Sequence, residues 1–294
     1  MITSLFSKSK PINYLIIVGL IILLFVTVNY NAILVGLNSA LIELTKLIIL
    51  IFSILILDFI IIKNNLTQKN SYAILTFSLL FALFSDALTN LDLLFSNLFI
   101  LLALRRIISL HTVINAKKKL FEAAFWIALA TLFYFWALLF FVILIIALLY
   151  YTQNNGKNIV IPFIGIAAVG ILLLSYNIIV FNIYIAPSNF NTHTSFDYTT
   201  YNNIESIIKL TTLFALLIWV FIYYFKVSEN KKLKPSYFLI SCISVIAILI
   251  GIIAPVKNGN EFIFLFVPFS ILMANYIEII TERWFKEVFV TVFI

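Results

Sequence analysis

The run FEAAFWIALATLFYFWALLFFVILIIALLYYT, Phe121–Thr152, carries one charge, Glu122, and is too long for a simple membrane crossing. As a single helix it would measure about 45 Å at 1.5 Å per residue. A bilayer's hydrocarbon core is about 30 Å thick, and tilt absorbs only part of the excess. The other solution is a chain that enters, turns near Tyr134–Trp136 and returns. That turn would set two amphipathic rings at an interface, where they are favoured, instead of at mid-bilayer. No Gly or Pro marks it, so its backbone would need protein neighbours to satisfy it. A second place for a reversal is Ile159–Ala186, which holds Pro162, Gly165 and Gly170.

The basic residues discriminate between these layouts. Place the N-terminus, beside Lys8 and Lys10, in the cytoplasm. With one crossing at Phe121–Tyr151, eleven of the nineteen Lys and Arg fall inside and eight outside, Lys226, Lys231, Lys232 and Lys234 among the latter. With a return, sixteen fall inside and only Lys46, Lys209 and Lys257 outside. Membrane insertion retains Lys and Arg on the cytoplasmic side, which favours the return.

The rest of the chain fits the same solvent. Hydrophobic residues make up 64% and charged residues 11%, where a soluble chain is about half apolar and a quarter charged. Clear spans are Ile12–Asn29, Leu44–Ile62, Tyr72–Thr89, Leu93–Leu110, Ile159–Ala186, Ile207–Phe225, Ser236–Ala254 and Phe262–Ile280. With the doubled run they give an all-α, polytopic integral membrane protein, one transmembrane domain over residues 1–294. About ten membrane-inserted helices are expected, including a short half-helix hairpin of about 21 Å per arm. Met1–Lys10 lacks a small-residue cleavage site, so the first helix is expected to stay uncleaved. Cytoplasmic loops are expected at Lys63–Asn70, Arg105–Lys119, Gln153–Asn158, Lys226–Lys234 and Thr281–Glu287. External loops are expected at Tyr30–Glu43, Asp86–Asp92, Pro187–Glu205 and Pro255–Glu261. Val288–Ile294 starts another apolar run too short to span. The net charge of +7 sits in loops beside spans and is no nucleic-acid signal. Cys242 is the single cysteine, which excludes a disulfide within the chain.

Six of the twelve acids collect on the external side: Glu43, Asp86, Asp92, Asp197, Glu205 and Glu261. Topology alone permits acids there, and the plain reading is solvated loop ends. The sharper reading sets Asp86 and Asp92, flanking SDALTNLD, in an external cavity, where carboxylates hold a divalent cation or act as a base. The loop APSNFNTHTSFDYTTYNNIES, with His193 and Asp197, mixes hydroxyls, amides and aromatic faces suited to a sugar or headgroup; the alternative is an ordinary connector. Lys257 and Glu261 stand four apart, either as a simple pair or with Lys257 meeting a phosphate. Pro268 is expected to bend the last span. Asp58 lies inside a span about a turn from Lys63, near enough to its end to snorkel. Asn177 and Asn182 are candidates for interhelical hydrogen bonds. Arg105, Arg106 and Lys117–Lys119 form a basic collar that suits anionic lipid.

Three stretches carry a resemblance: MITSLFSKSKPIN, NLFILLALRRIISLHTVINAKKKLFEAAFWIALATLFYFWALLFF and APVKNGNEFIFLFVPFSILMANYIE. They resemble an uncharacterised membrane-protein family of flavobacteria and relatives, domain of unknown function 6427. The resemblance covers nearly the whole chain and implies a bacterial inner-membrane location, with no established activity. AAFWIALATLFYFWALLFFVILIIALL and FLFVPFSILMA are more distantly similar to polyprenyl-phosphate-dependent glycosyltransferases of the GT-C type. That likeness implies a lipid-linked sugar handled at the external face. The family's early acid has no counterpart in Tyr30–Ala40, Glu43 being the first acid after the first span. Asp86 and Asp92 take the place of its second acidic site, without a DxD pattern.

The leading expectation is a multi-pass inner-membrane protein that binds or processes a polyprenyl-phosphate-linked sugar. Asp86, Asp92 and Glu43 are its candidate catalytic residues, and Lys257, Glu261, His193 and Asp197 its candidate substrate contacts. No resident metal is expected; a divalent cation is the one cofactor the carboxylates would accept. The expected partners are membrane lipids and a membrane protein, not nucleic acid. The alternative is a non-enzymatic subunit or scaffold in envelope assembly or secretion.

Overall fold

The computed structural model describes residues 2–151, 156–184, 192–230, 235–280 and 282–291. Among these the chain is helical, without strands, as a lipid solvent requires: a helix satisfies its own backbone polar groups. The helices are α1 (Ile2–Phe6), α2 (Pro11–Leu34), α3 (Leu37–Asn64), α4 (Tyr72–Leu83), α5 (Leu91–Ile108) and α6 (Ala116–Phe133). They continue as α7 (Phe140–Tyr151), α8 (Val160–Phe181), α9 (Ile204–Asn230), α10 (Pro235–Ile253), α11 (Ile263–Ile279) and α12 (Arg283–Thr291). Among the described residues, seven helices are long and apolar enough to cross a membrane. The expected loops at Gln153–Asn158, Pro187–Glu205, Lys226–Lys234 and Thr281–Glu287 fall partly outside the described residues.

The long run is interrupted at Tyr134. The Tyr134 N–H closes α6 on the Ala130 carbonyl at 3.0 Å, and Tyr134 itself is extended (φ −144°, ψ 107°). The Ala137 N–H then reaches the Tyr134 carbonyl at 3.0 Å and opens a 3-10 turn over Phe135–Leu139. Both α6 and α7 touch the Ser109–Thr112 turn that ends α5, so the chain goes out along α6 and comes back along α7. Extended backbone is open to any L-residue, which is why the reversal needs neither Gly nor Pro. Its neighbours hold it: the Tyr134 ring lies 5.5 Å from Phe264, and the Trp136 Nε1–H donates to the His193 carbonyl at 3.3 Å. The arms are longer than the expected half-helices. α6 starts at Ala116 and so includes Lys117–Lys119, for about 27 Å; the 3-10 turn adds rise to the return arm, for about 28 Å. α8 runs unbroken through Pro162, Gly165 and Gly170, so the alternative reversal is not used.

This layout gives the bundle two ends. At the turn end, Phe84 packs on Phe262 and Phe266, with centroids 5.9 Å apart in each case. At the opposite, basic end, the Ser9 N–H meets the Lys69 carbonyl at 3.2 Å, the Ser71 N–H meets the Phe6 carbonyl at 3.0 Å, and Arg106 pairs with Glu122. Glu278 joins these by accepting from the Gln68 N–H at 2.9 Å and Asn70 Nδ2 at 2.5 Å. Asp58 accepts from the Tyr14 hydroxyl at 2.9 Å, while Lys63 stands over the Phe59 ring. The three cations that the charge count leaves on the other side are each tied locally. Lys46 pairs with Glu43 at 2.7 Å and Lys209 with Glu205 at 2.5 Å, and Lys257 meets backbone carbonyls.

α4 and α11 form the centre. Phe77, Phe81 and Phe266 make an edge-on chain with centroids 5.1 and 5.0 Å apart, the geometry aromatic quadrupoles prefer. α11 stays helical through Pro268. α2, α8 and α9 form the periphery and keep most of their apolar surface outward. Gly165 lets α8 close on α6: a Cβ there would stand 2.8 Å from Ala124 Cβ and 3.0 Å from the Phe121 carbonyl. Asn182 ends α8 in the left-handed region (φ 53°), a usual stop for Asn. Asn177 is buried on the same helix, and its Oδ1 has no partner among the described residues.

Candidate functional site at the turn end

The segment Ala254–Glu261 folds into a loop between α10 and α11 because its polar residues satisfy one another. Gly259 sits at φ 94°, where a side chain is disfavoured, and a Cβ there would also stand 2.8 Å from the Phe84 ring. The Gly259 N–H is shared between the Tyr201 hydroxyl and Glu261 Oε2, at 2.9 Å each. The Tyr201 hydroxyl in turn donates to Glu261 Oε1. Glu261 is thus a buried carboxylate with both oxygens bonded, and its partners are Tyr201 and Gly259 in place of the expected Lys257. Burial and the Glu261 charge push the Tyr201 hydroxyl well above its ordinary range, which keeps it a donor.

Lys257 is buried and faces the other way. Its Nζ donates to the Gly251 and Ile252 carbonyls at 2.6 Å each, closing the C-terminus of α10. It also lies over the Tyr198 ring, 5.1 Å from the centroid. A cation suits that helix end. Burial lowers its affinity for a proton, partly offset by the Glu261 charge. The Thr200 hydroxyl donates to the Lys257 carbonyl and the Tyr198 hydroxyl to the Ile252 carbonyl at 3.1 Å. Residues 198–201 are therefore laced onto this loop.

Beside it opens a cavity of about 250 Å³. Its walls come from three elements: Asn90, Asp92 and Leu93 at the start of α5, Leu132–Phe135 at the reversal, and Pro255, Val256, Asn258, Asn260 and Glu261. Asn90 caps α5 by accepting from the Leu93 N–H at 3.2 Å, which sets Asp92 in the first turn with its side chain exposed. Asn260 is 6% exposed, and its Oδ1 has no partner among the described residues. A buried amide oxygen left unbonded is costly, and this one is closed off from solvent in the wall of the cavity.

Of the seven residues singled out in the sequence, Asp92 and Glu261 line this cavity. Asp86 is exposed on the neighbouring 3-10 turn, Ser85–Leu88, and does not line it. Glu43 is buried on α3 in its pair with Lys46, its Oε2 without a partner among the described residues. His193 is exposed, and its carbonyl receives Trp136. Asp197 is exposed and accepts from the Thr199 N–H at 2.9 Å, a bond that holds its carboxyl below the usual range. Among the described residues, no three His, Cys, Asp or Glu come together as a metal would need. Asn90, Asn258, Asn260 and Tyr201 are not among the residues singled out in the sequence, and Tyr134 enters there for the reversal alone. The NGN triplet at 258–260 was the available signal, since a glycine between two amides marks a turn with inward polar groups.

A helical bundle of this length and apolarity, with its polar residues gathered at the two ends, defines a multi-helix membrane protein. A profile of the family of unknown function (DUF6427) matches residues 1–294, and the chain belongs to that family. No curated protein and no solved structure matches it.

Proposed function

We propose that the turn-end cavity binds the hydroxyl-rich headgroup of a polyprenyl-phosphate-linked sugar. In this reading the turn end is the external face of a bacterial inner membrane, and the basic end, with the N-terminus, is cytoplasmic. The carrying observation is the convergence of Asp92, Glu261 and Asn260 on one aromatic-walled cavity from elements remote in sequence. Carboxylates and amides accept and donate to sugar hydroxyls, and the rings of Phe133, Tyr134 and Phe135 offer apolar faces. Glu261, held by Tyr201 and Gly259, orients. Asp92, exposed at the mouth, is the free carboxylate that would act as a base if the protein transfers the sugar. A GT-C-like scaffold of ten inserted helices accords with this role.

The test is binding by purified full-length protein of a polyprenyl-phosphate sugar against the same polyprenyl phosphate without its sugar, followed by tryptophan fluorescence. Preference for the sugar-bearing lipid, reduced about tenfold or about 1.4 kcal/mol by Asp92→Asn, is the expected result. Equal affinity for both lipids, or no effect of Asp92→Asn, would refute it. The second reading, a non-enzymatic membrane subunit, is favoured by the thin packing of α8, only 17% buried over its apolar window. It predicts no sugar preference.

A further inference from the structure

A second cavity, of about 380 Å³, opens at the basic end on the seam between α5 and α6. Arg105, Arg106 and Glu122 line it together with the rings of Phe121, Phe125 and Trp126. Its charges are unevenly matched. Glu122 pairs with Arg106 and stands 4.0 Å from Lys118. Lys119 is occupied by the Ser109 carbonyl at 2.6 Å and the Thr112 hydroxyl at 2.7 Å. Among the described residues, Arg105 makes neither an ion pair nor a hydrogen bond; its guanidinium lies over the Phe59 ring, 4.6 Å from the centroid.

Arg105 is therefore a half-buried cation beside open, aromatic-walled space; the Glu122 charge acts on it from nearby, but Glu122 is ion-paired with Arg106. Removing such a charge from water is unfavourable until an anion arrives. A guanidinium presents two parallel donors that match two oxygens of one phosphate, which an ammonium cannot do. The wall is apolar: Trp126 stacks on Phe99 with centroids 5.7 Å apart, and Phe121 on Phe125 at 6.2 Å. Basic pockets between membrane helices take anionic headgroups in this way.

We propose that this cavity seats the phosphodiester of an anionic membrane phospholipid. Arg105 grips two phosphate oxygens, Arg106 adds charge while keeping Glu122, and the upper acyl chain lies along Phe121, Phe125 and Trp126. The site is at the opposite end of the bundle from the sugar-headgroup cavity and stands or falls separately.

The experiment is native mass spectrometry of the delipidated full-length protein, titrated with phosphatidylglycerol or with phosphatidylcholine of the same acyl chains. The expected result is one bound phosphatidylglycerol with about fivefold preference, the contribution of one Arg at a membrane surface. Arg105→Leu should abolish the preference, and Lys8→Ala, which does not line the cavity, should keep it. Arg105→Lys keeps a charge but loses the fork, and should fall between; it also serves if the Leu variant does not fold. Equal binding of the two lipids by the native protein, or a preference that survives both Arg105 substitutions, overturns the assignment. Millimolar inorganic phosphate is expected to leave the lipid in place; displacement would assign the cavity to free phosphate instead.

Discussion

Tyr201 donates its hydroxyl hydrogen to the buried carboxylate of Glu261, sixty positions further along the chain. The bond ties the segment before α9 to the loop before α11, and the Gly259 N–H, shared between the Tyr201 hydroxyl and Glu261 Oε2, completes a closed triangle. This triangle fixes one wall of the turn-end cavity.

Tyr201→Phe removes the donor and leaves Glu261 Oε1 unbonded. The expected cost is about 1–3 kcal/mol, read as a lower unfolding midpoint in detergent. An unchanged midpoint would show the bond to be idle. The Tyr201 hydroxyl is pushed upward in the folded protein, so the sign follows. The native chain's advantage over the Phe variant should be full below about pH 10, the unfolded tyrosine's range, and shrink only above it.

Gly259→Ala should be among the most damaging single-methyl additions in the chain. It forces a side chain onto φ 94° and sets a Cβ 2.8 Å from the Phe84 ring. A loss of about 2 kcal/mol or more is expected. Combining it with Phe84→Leu should recover the steric part and not the backbone part. Full recovery in the double variant would mean that the dihedral is unimportant.

Lys257→Met deprives the Gly251 and Ile252 carbonyls of their shared donor. The expected destabilisation is about 1–3 kcal/mol, with residues 198–201 more readily cleaved by added protease. Lys257→Arg should recover part of it, because a cation still caps α10. A Met variant as stable and as resistant as the native protein would contradict the capping role.

Gly165 and Gly170 lie on the same helix and should answer oppositely. Gly165→Ala pushes α8 off α6 at Ala124 and Phe121, while a Cβ at Gly170 meets nothing within 4 Å. The first should cost about 1–3 kcal/mol, and the second should be neutral or gain up to about 1 kcal/mol from helix propensity. Thermal unfolding of the two variants side by side reads the difference.

The layout was legible where physics acts on long stretches. Membrane insertion sorts Lys and Arg over the whole chain, so their positions revealed the reversal at Tyr134 although no Gly or Pro is there. The two-ended gathering of polar loops followed from the same count. What was not legible depends on single contacts. Lys257 and Glu261, four apart, invite pairing, yet the loop's positive-φ glycine turns one toward α10 and the other toward Tyr201. Asp86 and Asp92 look equivalent in sequence, but Asn90 caps α5 between them and only Asp92 reaches the cavity wall. Glu43, expected at the end of the external loop Tyr30–Glu43, lies within α3 and is claimed by Lys46 one turn on.

Side-selective labelling of single cysteines in a Cys242→Ser background tests the reversal most directly. Cysteines replacing Lys118 and Lys232 should react with a membrane-impermeant maleimide from one side of sealed vesicles, and cysteines replacing Asp86 and Asn258 from the other. If Lys232 instead reacts together with Asp86, and Asn258 together with Lys118, the chain passes straight through at Tyr134, and neither the two-ended bundle nor its cavities can stand.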